Sequence, residues 1–133
     1  NRTTQRAHDL VAGFQRRVPA QLEAGPLKAE AVSAAASEVD FVVNATPVGM
    51  WPEVDASPWP EEVAFPSGAF CFDLVYNPRE TRLMDTARTE GAGVSNGLGM
   101  LVHQGAEAFE LWTGSEAPVK VMYAACEQVL EGE

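Results

Sequence analysis

Polar side chains suited to binding a phosphate crowd the beginning of the sequence, at Asn1, Arg2, Thr3 and Arg6. They supply an amide, a hydroxyl and two guanidinium groups beside the start of a helix that Thr3 or Thr4 can cap. Guanidinium forks and free helix N–H groups together bind phosphomonoesters well. In dinucleotide-binding folds, an arginine near the end of the second strand accommodates the 2′-phosphate of NADP. A solvent-exposed helix start with capping threonines explains the same residues, so both interpretations stay open.

Two further polar segments each follow an apolar run. Residues 44–50 (Asn-Ala-Thr-Pro-Val-Gly-Met) follow Phe-Val-Val, and residues 73–78 (Asp-Leu-Val-Tyr-Asn-Pro) follow Phe-Cys-Phe. Ligands of open α/β sheets bind beyond the carboxyl ends of strands, so both segments could line such a site. An ordinary turn explains the first segment equally well, and simple packing of Tyr76 explains the second. Asp73 is expected to be hydrogen-bonded and structural, because an unpaired buried carboxylate is costly.

A fourth segment, residues 96–104, opens a helix with a pair of glycines. Gly97 and Gly99 would let the backbone approach a bound ring or phosphate. The spacing is only half of G-x-G-x-x-G, because Val102 stands in the third position. Gln104 falls on a helix face that otherwise looks buried, so its amide needs either a protein partner or a ligand.

The elements that would position these segments alternate between helix and strand. Helices are predicted from Thr3 or Thr4 to no further than Pro19, and over residues 29–37, 81–90, 98–112 and 119–130. Strands are predicted over residues 40–44, 69–76 and 93–95, with a proline-rich loop over 47–66. Strands that alternate with helices of this length predict an α/β fold with a mainly parallel sheet.

The composition limits the classes of function. The 133 residues suit one domain, and 19 acidic against 9 basic residues argue against a nucleic-acid or anionic-membrane partner. No apolar run approaches the ~20 residues of a membrane helix. Two cysteines and no dense cysteine pattern predict a reducing, cytoplasmic setting. His8 and His103 have no spaced partners for a metal, no G-x-S-x-G is present, and Cys71 is expected to be inert in mid-strand.

In this order, the four segments resemble the C-terminal half of the shikimate dehydrogenase family, and the likeness runs over nearly the whole chain. The resemblance implies an incomplete Rossmann-like fold, three-layered α/β/α, with a mainly parallel sheet and C-terminal helices. Residues 1–114 would be part of an NADP-binding domain, and residues 115–133 a C-terminal helix. The family reduces 3-dehydroshikimate to shikimate with NADPH, in aromatic amino-acid biosynthesis.

The resemblance also assigns roles to individual positions. The family's clamp on the adenosine 2′-phosphate matches Asn1, Arg2, Thr3 and Arg6. The loop along the cofactor matches Asn44, Ala45, Thr46, Pro47 and Val48. Positions beside the nicotinamide match Leu74, Gly97 and Met100. Residues that reach shikimate match Tyr76 and Gln104, which favours a ligand as the partner of Gln104.

Other parts of the family's site have no counterpart in this sequence. The glycine-rich pyrophosphate loop is expected to precede Asn1, and the catalytic lysine and aspartate are expected in an N-terminal substrate domain. We therefore expect no catalytic residue and no metal site among these residues, and no activity from this chain alone. A quinate/shikimate dehydrogenase paralogue and a non-catalytic α/β interaction module are the alternatives. The sequence leaves the oligomeric state open.

Overall fold

A computed structural model describes residues 3–131 of the chain. Helices and strands alternate along this part in the order α1 (Thr4–Gln15), α2 (Ala29–Ala36), β1 (Phe41–Asn44), β2 (Phe70–Asp73), α3 (Arg82–Thr89), β3 (Gly93–Ser95), α4 (Leu98–Thr113) and α5 (Val119–Glu131). The proline-rich stretch between β1 and β2 contains neither helix nor strand, as predicted.

The strands form one sheet in the order β1-β2-β3, and both pairings are parallel. In the register, Asn44 lies beside Asp73, and Phe72 lies beside Ser95. The carboxyl ends of the strands therefore meet at one edge of the sheet. The predicted α/β fold with a parallel sheet and C-terminal helices is confirmed.

The strand predicted over residues 69–76 is shorter in the structure, where β2 ends at Asp73. Its neighbour β1 ends at Asn44, and after one more backbone bond, from Leu74 N to the Asn44 carbonyl at 2.9 Å, the ladder stops. The next N–H, that of Val75, donates to the side chain of Asp73 at 3.0 Å. The Asp73 side chain thus satisfies the Val75 N–H in place of a backbone carbonyl just after the strand ends.

The chain divides into two compact units. The first comprises the residues up to Glu38 together with Trp59–Ala64, and it contains α1 and α2. Leu10 and Phe14 of α1 are exposed, and the guanidinium of Arg17 lies over the Phe14 ring, 5.9 Å from its centroid. After α1, the side chain of Gln15 fixes the following segment by bonding to both the Ala20 carbonyl and the Leu22 N–H.

The second unit comprises Val39–Pro58 and the residues from Phe65 onward, and it contains the sheet with α3, α4 and α5. Helix α3 packs on β2 and β3, and α4 packs on α5. The buried apolar core of this unit includes Cys71, Leu83, Ala87, Leu98 and Val102. None of the helices in the described chain has the length and apolar character needed to span a membrane.

One face of the sheet carries exposed apolar side chains. Phe41 and Val43 of β1 are 56% and 53% exposed, and Phe70 of β2 is also exposed. The rings of Phe41 and Phe70 stack with their centroids 5.2 Å apart. We call Phe41, Val43 and Phe70 the open sheet face. Strand β1, which carries two of these residues, is an edge strand, so its outer backbone groups have no neighbouring strand within residues 3–131.

Candidate functional site

A buried polar network joins the ends of β1 and β2. Asp73 is fully buried and Asn44 is 4% exposed, and the Asn44 Nδ2 donates to Asp73 Oδ1 at 2.9 Å. The hydroxyl of Thr81, also buried, donates to Asp73 Oδ2 at 2.6 Å. Together with the Val75 N–H, Asp73 accepts three hydrogen bonds. The expectation that Asp73 is hydrogen-bonded and structural agrees with this geometry.

The side chain of Asn44 also shapes the loop that follows β1. Its Oδ1 accepts hydrogen bonds from the Thr46 N–H at 3.0 Å and from the Thr46 hydroxyl at 2.7 Å. Its Nδ2 lies 3.4 Å from the Val48 carbonyl, to which it donates. Both polar atoms of the Asn44 side chain are therefore engaged with protein. Any contribution of Asn44 to a cofactor site comes through the loop that it holds.

Main-chain hydrogen bonds tie the loops after the three strands to one another. The Trp51 N–H donates to the Asn77 carbonyl at 3.1 Å, which joins the loop after β1 to the loop after β2. The Gly97 N–H donates to the Val75 carbonyl at 3.0 Å, which joins the loop after β2 to the start of α4. The amide of Asn96 adds a bond to the Arg79 carbonyl at 2.9 Å.

Steric contacts explain why two positions in these loops are glycine. A Cβ on Gly97 would lie 2.0 Å from the Leu74 carbonyl oxygen, which is far inside van der Waals contact. Gly97 thus lets the start of α4 approach the backbone at the end of β2. Gly49 adopts a φ of 90°, and a Cβ there would lie 3.0 Å from the Ala56 carbonyl. Neither position can take a side chain without a shift of backbone.

Several side chains of these linked loops and of α4 are exposed. Met50 follows β1, Tyr76 follows β2 and Met100 lies in the first turn of α4, and each is partly exposed. Gln104, one turn further along α4, is exposed as well. The expectation that Gln104 lies on a buried face is wrong. The buried stripe of α4 is Leu98, Val102 and Ala106, and position 104 lies about 200° around the helix from its central member.

The first polar segment lies in the other compact unit. Asn1 and Arg2 fall outside the described residues. Thr3 occupies the N-cap position of α1, one of the two predicted positions, but its side chain makes no capping hydrogen bond; its carbonyl accepts a hydrogen bond from the Arg6 N–H at 3.0 Å. The Arg6 side chain is exposed in the first turn of α1. Segments 44–50, 73–78 and 96–104 all belong to the second unit, where hydrogen bonds join them.

The only strong electrostatic perturbation found in residues 3–131 concerns Cys71. Burial, with a further contribution from the negative charge of Asp73, raises the pKa of the Cys71 thiol to about 11. A neutral, buried thiol is a poor nucleophile, which fits the expectation that Cys71 is inert. Over the same residues, no group of three or more histidine, cysteine or acidic side chains is arranged to hold a metal ion.

Known proteins similar to this chain include several shikimate dehydrogenases. Residues 97–127, which cover all of α4 and most of α5, match the family model described as "Shikimate 5'-dehydrogenase C-terminal domain". All of the chain aligns with the shikimate dehydrogenase (NADP(+)) of Symbiobacterium thermophilum at 42% identity, over 46% of that relative. The chain is homologous to shikimate dehydrogenases.

The structural likeness extends along the chain. Shikimate 5-dehydrogenase from Thermus thermophilus, solved in complex with NADP(H) and shikimate, is 41% identical with a TM-score of 0.78. The match covers 96% of this chain and 44% of that one. Quinate dehydrogenase from Corynebacterium glutamicum, solved with NAD, is 30% identical with a TM-score of 0.77, over 96% of this chain and 44% of that one. The chain thus spans less than half the length of these shikimate dehydrogenase relatives.

Sequence patterns identified the segments of this shikimate dehydrogenase homologue but predicted none of the hydrogen bonds that link them, among which two illustrate the reason. Thr81 is one, because its bond to Asp73 was not visible in either local pattern. The position of Thr81 directly before the predicted helix was a usable signal of its structural role, since Thr81 also caps α3 by accepting from the Met84 N–H at 3.3 Å. The other link, from Trp51 to Asn77, uses backbone groups alone and has no signature in residue type.

Proposed function

We propose that this chain supplies the cofactor-binding part of an NADP-dependent shikimate dehydrogenase, which reduces 3-dehydroshikimate to shikimate with NADPH. The observation that carries the proposal is the joining of three strand-end segments at one sheet edge, in a chain homologous throughout to that family. Residues 1–114 would form the partial NADP-binding domain, and residues 115–133 its C-terminal helix. An N-terminal substrate domain would complete the site.

The charge and exposure of Arg6 fit the 2′-phosphate of NADP. Its guanidinium is exposed in the first turn of α1, where the helix dipole also favours an anion. Asn1, Arg2 and Thr3 would complete this clamp. NAD carries no 2′-phosphate, so these residues would select NADP over NAD.

The joined loops fit the rest of the cofactor and the substrate. NADPH supplies the hydride when bound. The loop of Ala45, Thr46, Pro47 and Val48, shaped by Asn44, would run along the cofactor. Leu74, Gly97 and Met100 would lie beside the nicotinamide, and the close approach of Gly97 to Leu74 brings two of these backbones together. Tyr76 and Gln104, both exposed, would orient the substrate.

The test is a pair of arginine variants in the complete gene product. Arg6→Ala should raise the KM for NADP about tenfold or more and leave the KM for shikimate within about twofold, because one charge-assisted contact to phosphate is lost. Arg16→Ala, which changes an exposed arginine at the opposite end of α1 and outside the clamp, is the matched control. Titration with adenosine 2′,5′-bisphosphate checks the same contact without catalysis. Equal losses for both ligands, or wild-type protein inactive with shikimate and NADP, would contradict the proposal.

A quinate dehydrogenase is the second candidate, favoured by the likeness to the Corynebacterium glutamicum enzyme. Quinate and shikimate, each assayed with NAD and NADP on the complete gene product, separate the two candidates. Turnover of quinate with NAD as the best pair would favour the second.

A further inference from the structure

Asp73 lies where three segments of the chain converge. It is fully buried at the end of β2, yet both of its oxygens accept hydrogen bonds from elsewhere. Asn44, at the end of β1, donates to Oδ1, and Thr81, before α3, donates to Oδ2. The Val75 N–H donates to Oδ1 from the loop that Asp73 itself begins.

Joining these segments through a buried carboxylate carries a desolvation penalty. Removing the charge from water costs free energy that three hydrogen bonds offset only in part, and a well-packed apolar residue often stabilises more. What the carboxylate adds is direction, because its hydrogen bonds are satisfied in only one arrangement of the partners. Every buried side-chain nitrogen and oxygen in residues 3–131 has a hydrogen-bond partner.

The two oxygens of Asp73 serve different loops. Through Oδ1, Asn44 is fixed, and Asn44 in turn holds Thr46 and Val48 of the loop after β1. Through Oδ2, Thr81 is fixed, and this closes the loop after β2 onto the start of α3. Each connection can therefore be cut without removing the other.

We propose that Asp73 is a positioning residue, which sets the cofactor loop through Asn44 and the substrate loop through Thr81 without touching a ligand. Asn44 and Thr81 are positioning residues in the same sense. We call the Asn44 bond to Oδ1 and the Thr81 bond to Oδ2 the two arms of the Asp73 carboxylate. The roles of the two loops rest on the proposed function, whereas the two-arm arrangement itself rests on the hydrogen bonds alone.

The experiment cuts one arm at a time in the complete gene product. Asn44→Ala removes the Oδ1 arm and should raise the KM for NADP about tenfold while the KM for shikimate stays within about twofold. Thr81→Val removes the Oδ2 arm and should affect shikimate KM or kcat by about tenfold, with the KM for NADP nearly unchanged. Thr81→Ser, which keeps the hydroxyl, should restore the wild-type values.

Hydrogen exchange gives a readout that needs no activity. Asn44→Ala should speed amide exchange about tenfold in residues 45–48 and not in 75–81, and Thr81→Val should do the reverse. Thr86→Val is the matched control, since its hydroxyl bonds the Arg82 carbonyl on the same helix and lies outside the network.

The outcomes separate the two proposals. If wild-type protein lacks shikimate turnover but the exchange pattern splits between the loops, the proposed function fails and the two-arm arrangement stands. If each variant loosens both loops equally, and both KM values change in parallel with the unfolding temperature, Asp73 is merely structural and this inference is overturned.

Discussion

Replacing Asn44 with aspartate would test the contact between Asn44 and Asp73 by charge alone. The side chains have nearly the same shape, so Asn44→Asp changes little but the donor. In the native structure Asn44 Nδ2 lies 2.9 Å from Asp73 Oδ1 and donates to it. The variant places a second carboxyl oxygen there, where it must either carry a proton or repel Asp73.

The size of this repulsion follows from the distance. Two unit charges at 2.9 Å repel by about 6 kcal/mol at an effective dielectric constant of about 20, and by about 4 kcal/mol if the side chains separate to about 4 Å. A cost of about 4 kcal/mol raises the folded-state pKa of the introduced carboxyl by about three units, from about 4 to about 7. The folded protein then binds more protons than the unfolded protein between these values.

The sign of the pH dependence follows from that raised pKa. Below about pH 4 the introduced carboxyl is protonated in both states, can donate to Asp73 as the amide did, and costs little. As the pH rises to about 7, the free energy of unfolding of the variant should fall by about 4 kcal/mol relative to wild type. Cys71, the other titratable group beside Asp73, stays neutral over this range because its pKa is about 11.

Urea unfolding of the complete gene product at several values between pH 4 and pH 8 measures this difference. Asn44→Ala is the control, because it removes the same hydrogen bond and adds no charge, so its deficit should not vary with pH. A difference between Asn44→Asp and wild type that is constant with pH, or below about 1 kcal/mol at pH 8, would refute the buried contact.

Three further predictions follow from the geometry. Gly97→Ala should lower the unfolding temperature by several degrees and impair cofactor binding, because its Cβ would overlap the Leu74 carbonyl; Gly13→Ala, where nothing lies within 4 Å, should not. Cys71 should resist alkylation by iodoacetamide at pH 8 in folded protein and react once unfolded, as peptide mass spectrometry would show; its raised pKa also predicts stability lost between about pH 9 and pH 11. The 133-residue chain expressed alone should self-associate through the open sheet face in sedimentation, and Val43→Lys should weaken this; an unchanged association would locate it elsewhere.

Local sequence patterns predicted most elements because those elements have local causes. The helix over residues 81–90 corresponds to α3, with Thr81 as its cap, and Gly114 ends α4 with a φ of 68°. The strand over 69–76 was too long, because its end depends on where β1 ends. No local pattern around β2 contains that information.

The sequence predicted that Asp73 is hydrogen-bonded but not which residues are its partners. An aspartate within an apolar strand had to have partners, and it does. Their identity depends on a contact between Asn44 and Asp73, 29 residues apart, which arises from the parallel register and not from spacing. Gln104 was misplaced for a related reason, since the buried stripe of α4 depends on what packs against it.

The bonds from Trp51 to Asn77 and from Gly97 to Val75 use peptide groups, which nearly every residue type carries. Substitution at exposed positions such as Met50 or Tyr76 therefore leaves these bonds available. Exchange of those exposed side chains can therefore change ligand preference without removing the main-chain bonds beneath them. Such a division lets an ancestral scaffold acquire new ligands through few mutations, each with a small penalty in folding.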